Sequence, residues 1–216
     1  MRKTSRDPSL LLWPVVAFVV LAPLLVWRSR VVQRRVAENL QKLALLLRLD
    51  FRPAENGVDS PCLTGSLRGR RAEVFRHVTG AGRSRRAWVV ISVQPAKWET
   101  LTFTLQKQGL GTKISELLGA REITVGDAAF DAAWYVETNQ PEYFRAALLP
   151  ELREKLMAVR RAGAEGKFEL RRGEVKYIEP DQLNQSDGIE LLVALADVTA
   201  DLAEIAEVAG ARDGLV

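Results

Sequence analysis

The sequence is short of the residues from which reaction centres are usually built. Among 216 residues there is one cysteine, Cys62, and one histidine, His77. A lone cysteine excludes an intramolecular disulfide, and the two residues together cannot assemble a Cys/His zinc site within one chain. A Ser-His-Asp or Cys-His mechanism would have to run through His77. That residue lies in "AEVFRHVTG", whose alternation marks a strand. The phosphate-loop pattern G-x-x-x-x-G-K-[ST] is missing as well: in "QGLGTKISELLG" the second glycine is followed by Thr112 and only then by Lys113. EF-hand spacing is absent after Asp127. There is no internal repeat and no low-complexity segment.

What is present is an uneven distribution of charge. The net charge of +4 hides a basic N-terminal segment: residues 1–50 carry nine Lys/Arg against three Asp/Glu, and residues 51–216 carry 22 against 24. The basic character therefore belongs to the first fifty residues, and overall charge gives no argument for nucleic-acid binding. Within the remainder, seven arginines fall between Arg68 and Arg86 (68, 70, 71, 76, 83, 85 and 86), opposed only by Glu73.

Eighteen consecutive residues, "LLLWPVVAFVVLAPLLVW" from Leu10 to Trp27, carry no charge. As a helix they cover about 27 Å, close to the hydrocarbon thickness of a bilayer. Trp13 and Trp27 stand near its ends, where indoles favour the interface. The following "RSRVVQRR" has no small-residue cleavage site, so an uncleaved anchor is expected rather than a signal peptide. Both flanks are positive. The denser cluster, Arg28, Arg30, Arg34 and Arg35, follows the span and favours a cytoplasmic C-terminal domain.

Beyond the span, Val32, Val36, Leu40, Leu43 and Leu47 line one face of a helix over residues 28–50. This face is available for a protein partner, for self-association through residues 28–49, or for packing on its own domain. "RPAENGVDSP" reads as part of a linker over 51–62. Strands follow at "RRAEVFRHV", "RAWVVISVQ" and "TLTFTLQ", a short helix at "TKISELLG", and an alternating strand at "FDAAWYVET" through Phe130, Ala132, Trp134 and Val136. A helix restarted at Pro150 ends at Gly163. Two short strands turn at Arg172-Gly173, and a last helix has an acidic face of Asp197, Asp201, Glu204 and Glu207. The pattern predicts an α+β fold over residues 63–210, a mostly antiparallel sheet with helices packed on one face, preceded by one transmembrane helix. Residues 1–9 and 211–216 are tails.

The densest stretch is "VGDAAFDAAWYVETNQPEYF", Val125 to Phe144. Asn139 and Glu142 have the spacing of a capping-box variant around Pro141, Asn139 as N-cap and Glu142 at the third helical position. Gly126-Asp127 reads as a turn. The alternative is a carboxylate site built from Asp127, Asp131 and Glu137, which requires two of these groups to face one cleft.

The phrases "LTGSLRGRRAEV", "RRAWVVISV", "REITVGDAAFDAAWYVETNQPE" and "AALLPELREKL" resemble a family of uncharacterised, often membrane-associated bacterial and archaeal proteins. The shared features are an L-x-G-x-x-x-G-R start, a G-D-x-x-F-D-x-x-[FW] core and an L-x-P-x-[LV]-R helix, covering about residues 63–160. The resemblance implies a domain of unknown function and transfers no catalytic residue. The resulting expectation is a single-span membrane protein whose α+β domain is a binding module, with a carboxylate-dependent hydrolase as the alternative. No catalytic, cofactor or metal residue is assigned and no nucleic-acid partner is favoured. Arg83, Arg85 and Arg86, at the tip "GRSRR", are candidates for contact with an anionic membrane surface.

Overall fold

The computed structural model describes residues 27, 30–54, 60–80, 82–98, 100–109, 121–181, 183 and 188–213. The span expected at Leu10–Trp27 lies outside this set except for Trp27. Among the described residues no helix is long and apolar enough to cross a membrane. The helix expected at "TKISELLG" and Gly111, the second glycine of the phosphate-loop comparison, also lie outside the described residues.

Nine strands are described: β1 (Asp50–Arg52), β2 (Cys62–Leu67), β3 (Arg70–Thr79), β4 (Arg86–Val93), β5 (Phe103–Lys107), β6 (Arg121–Ile123), β7 (Trp134–Thr138), β8 (Lys167–Arg171) and β9 (Glu174–Pro180). They form one sheet in the order β1-β2-β3-β4-β9-β8-β5-β7-β6. Every pairing is antiparallel. The helices are α1 (residues 30–47), α2 (Ala128–Ala133), α3 (Pro141–Ala147), α4 (Pro150–Arg161) and α5 (Gly188–Asp213). The expected α+β architecture with a large antiparallel sheet is what is found.

Alternation along the strands decides which face is covered. Val74, Val89, Ile91, Val93, Tyr177, Phe168, Leu105 and Val136 point to one side and are buried in a single core with helix residues such as Leu40, Leu43, Leu156, Leu195 and Leu202. Each such side chain, fully buried, contributes about 1.5–3 kcal/mol. The opposite side of β3 and β4 carries His77, which is exposed, and the half-buried Phe75 and Trp88.

Of the alternatives for the α1 stripe, packing on its own domain is found: Val36, Leu40 and Leu43 belong to the domain core. Two expectations are corrected. The expected linker over 51–62 holds two of the three residues of β1, whose Asp50, Phe51 and Arg52 pair with Thr64, Leu63 and Cys62. Its flanking Pro, Gly and Asn concealed a strand of three residues. "FDAAWYVET" is not one strand, because Ala128–Ala133 is helical and only Trp134–Thr138 is extended. Phe130 and Trp134 are four apart, a helical spacing that alternation masked.

The breaks are where they were expected. Pro150 starts α4 after a short α3, and Gly163, at φ 98°, follows its end. Arg172 and Gly173 both have positive φ, 53° and 76°, the backbone of a tight two-residue hairpin. A side chain at position 173 would overlap the Trp98 indole, which lies over the turn. Helix α5 runs to Asp213, into the expected tail.

Candidate functional site

The carboxylates that suggested catalysis are the framework of one turn. Gly126 adopts φ 81°, which reverses the chain after β6. Asp127 is the N-cap of α2 and accepts from the backbone N–H of Ala129 (3.1 Å) and Phe130 (3.2 Å). Asp131, one turn further on, reaches back and accepts from the N–H of Val125 (2.9 Å) and Gly126 (3.2 Å). Phe130 and Trp134 anchor the turn in the core. The two carboxylates thus serve backbone donors on opposite sides of the turn. Asp127 also faces Arg153 at 3.6 Å, at the margin of a depression of about 250 Å³ that Asp131 does not line. Glu137 is buried in β7. These groups are not brought to one cleft.

Asn139 does not cap α3. The N-cap is Gln140, which makes no side-chain capping bond, and Glu142 instead pairs with Arg145 one turn on (2.9 Å). Asn139 extends the β5–β7 pairing with its side chain: Oδ1 accepts from the Thr102 N–H (2.8 Å) and Nδ2 donates to the Thr100 carbonyl (2.6 Å). Pro141 in the first turn supplies a position that needs no N–H partner, which leaves Asn139 for this tie.

The arginines of 68–86 are divided between the two ends of β3. At its start, Arg68 pairs with Asp197, Asp201 and Glu204 of α5. Arg70 makes a two-pronged contact to Glu207, Nε–Oε1 2.8 Å and Nη2–Oε2 2.7 Å, and reaches Glu204 at 3.1 Å. Lys155 of α4 joins Asp197 and Asp201, both at 2.8 Å. Burial alone would raise the Asp197 carboxyl, but hydrogen bonds and charge from Lys155 and Arg68 outweigh it and hold the carboxyl below its ordinary value. Glu207 is likewise lowered, chiefly by its hydrogen bond from Arg70. Arg71 pairs with Glu73, and Arg76 with Asp181. At the other end of β3, Arg85 and Arg86 are exposed and have no ion-pair partner among the described residues. The Arg83 side chain lies outside the described residues.

Two further features were not read from the sequence. Glu179, wholly buried on β9, accepts from the Tyr177 hydroxyl and from the N–H of Gly166 (2.9 Å) and Glu165 (3.2 Å). Burial raises its carboxyl above the usual range although these donors oppose the shift. A Cβ on Gly166 would overlap the Ile178 carbonyl oxygen, so the chain passes β9 only as glycine. The second feature is an apolar groove of about 460 Å³ between the α3–α4 corner and α5, lined by Tyr143, Ala147, Leu149, Leu152, Ile205 and Val208. Leu149 and Val208 stand 58% and 55% exposed at its mouth. Its charged rim, Lys155, Asp201 and Glu204, belongs to the ion-pair network described above. The outward turn of Leu149 depends on the α3–α4 corner and left no local signal.

No known family model matches the chain, and no curated protein matches it in sequence. Taken together, the sheet and its helical layer define an α+β domain, and among the described residues no group of three or more His, Cys, Asp or Glu side chains is placed to hold a metal ion. The same fold occurs in the crystal structure of the mycobacterial trehalose monomycolate transport factor A, TtfA. That structure superposes with a TM-score of 0.52 at 12% identity, over 80% of this chain and 94% of the other. The likeness is one of fold.

Proposed function

We propose that this chain is a membrane-anchored binding module that works by association, held by the span Leu10–Trp27 with its domain on the cytoplasmic side. The observation that carries the reading is the placement of Asp127 and Asp131, whose oxygens are engaged by backbone N–H groups on opposite sides of a turn. A hydrolase built on this pair would need both to face one water and one substrate. The G-D-x-x-F-D-x-x-[FW] resemblance fits the same reading, since each of its residues builds that turn. A fold shared with a factor named for the transport of trehalose monomycolate supports an associating role within a transport machinery.

The surface suited to association is the groove beside Leu149 and Val208, and its occupant is an amphipathic helix of a partner protein. An apolar floor with a charged rim matches the anatomy of such contacts, and two facing helices offer a helix-sized slot. The test is a photoreactive residue at position 149 of the full-length chain in its native membrane, with Arg171 as the exposed control site. One protein adduct, mapped to a single amphipathic segment and absent from the control, is the expected result. A lipid adduct, or equal labelling from both sites, overturns it.

A further inference from the structure

Helix α1 runs back along β3, and its direction places the anchor. Leu49, just past the C-terminal end of α1, lies against Gly65, which pairs with Ala72 near the start of β3. Asn39, midway along α1, donates to the Leu183 carbonyl (2.8 Å) beyond the end of β9. Val32 and Val36, toward the N-terminal end, line one cavity with Arg76, near the far end of β3. From residue 43 back to residue 30 the helix rises about 20 Å. From Ala72 to Thr79 the strand covers about 23 Å. The first turn of α1 is therefore level with the β3–β4 hairpin, Thr79 to Arg86.

That end of the molecule is basic. Arg30, Arg34 and Arg35 on α1 and Arg85 and Arg86 on the hairpin are all exposed, and none has an ion-pair partner among the described residues. The described carboxylates toward this end include the exposed Glu38, the largely buried Asp181, which is taken by Arg76, Glu165, which is paired with Lys107, and the wholly buried Glu179. The acidic residues of α5 that bind Arg68 and Arg70 sit at the opposite end of β3. Trp27, 64% exposed, and the half-buried Trp88 add indoles of the kind that favour a lipid–water boundary.

We propose that the first turns of α1 and the free end of the β3–β4 hairpin form one cationic face that docks on an anionic bilayer surface, turning the acidic end of α5 outward. This rests on the anchored reading above and adds an orientation to it. Attraction to a charged leaflet decays over about 8 Å at physiological salt. Arg30 is the third residue after Trp27, so the chain itself keeps the start of this face within about 10 Å of the end of the span. Proximity is supplied by topology, and the charges then fix the tilt.

The experiment uses the full-length chain in nanodiscs of phosphatidylcholine alone or mixed with phosphatidylglycerol. Tryptic cleavage after Arg85 and Arg86 is followed by mass spectrometry, with cleavage after Arg172, at the opposite end of the sheet, as the internal reference. At low ionic strength the anionic discs are expected to slow hairpin cleavage at least about fivefold, the effect of one basic residue held at the surface. Added salt should remove this protection, as should the variant Arg34→Gln/Arg35→Gln, which leaves both hairpin sites intact. Equal cleavage in the two lipids overturns the proposal, as does protection that ignores salt. Hairpin protection in both lipids would assign the face to another protein or a second copy of this chain, which also overturns it. Failure of the chain to enter the discs would instead count against the anchor.

Discussion

Arg68 and Arg70 at one end of β3 and Arg85 and Arg86 beyond the other are the same residue type within nineteen positions, yet they live in different electrostatic worlds. The first pair faces the acidic side of α5, and Arg70 is held there with its side chain only 14% exposed. The second pair faces solvent with no carboxylate in reach among the described residues. Nothing local to either pair sets this difference. It follows from the direction of α5, which runs back from the Asp181 end of β9 and carries Asp197 through Glu207 toward the β2–β3 turn. Charge clusters in a sequence acquire a role only once the fold decides which helix end they meet.

The comparison breaks most clearly at Arg70. Arg70→Ala removes charge-assisted bonds from a largely buried site and leaves Glu207 with only the Ala96 N–H as donor, so about 2 kcal/mol of unfolding free energy should be lost in urea titration. Asp131→Ala, which frees the Val125 and Gly126 N–H groups, should cost about 1 kcal/mol by the same measurement. Arg68→Ala should cost less, about 0.5 kcal/mol, because its site is more open to water. Arg85→Gln/Arg86→Gln should stay within about 0.5 kcal/mol of the parent chain. A large loss there would show that the hairpin arginines are paired and would dissolve the contrast.

Acid titration sharpens the same point. The Asp197 and Glu207 carboxyls lie below their unfolded values, so the stability they contribute is present above the ordinary carboxylate range and is lost as pH falls through their lowered values. Glu179 works in the opposite sense. Its raised value means a contribution that is complete below the unfolded pKa and is lost as pH rises through the folded one. Melting temperatures taken from neutral pH downward should therefore fall more steeply in the parent chain than in Arg70→Ala, which has already lost the Glu207 pairing. Parallel curves would mean that Glu207 is not depressed by Arg70.

Much of the sheet was legible because its signals are local. The Arg172-Gly173 turn, the alternation of Leu101, Phe103 and Leu105, and the restart at Pro150 each depend on a few neighbouring residues. The misreadings share a cause in partners distant along the chain. Asn139 was read as a cap because Pro141 and Glu142 stand beside it, whereas its partners Thr100 and Thr102 lie nearly forty residues earlier. Asp50–Arg52 forms a strand only because β2 offers an edge. In the Val125–Phe144 stretch, the Gly126-Asp127 turn is found, with Asp127 capping α2, whereas Asn139 caps nothing. A glycine–aspartate turn followed by an apolar residue three positions on is an N-cap signal, and alternation obscured it.

The order of the sheet also sets a schedule. Strand β4 pairs on one side with β3, its near neighbour in sequence, and on the other with β9, where Val90 meets Ile178 roughly ninety residues later. During synthesis at about 5–20 residues per second, the stretch from Ala87 to Val93 waits on the order of 5–20 s for its second partner. It is uncharged and rich in β-branched residues, the composition that most readily pairs with another chain at an open edge. On the anchored reading proposed above, the apolar segment Leu10–Trp27 is made before the sheet and would hold each nascent chain at a separate place on the membrane. Tethering would then act as a chaperone of the unfinished sheet, keeping unfinished edges apart until β9 arrives.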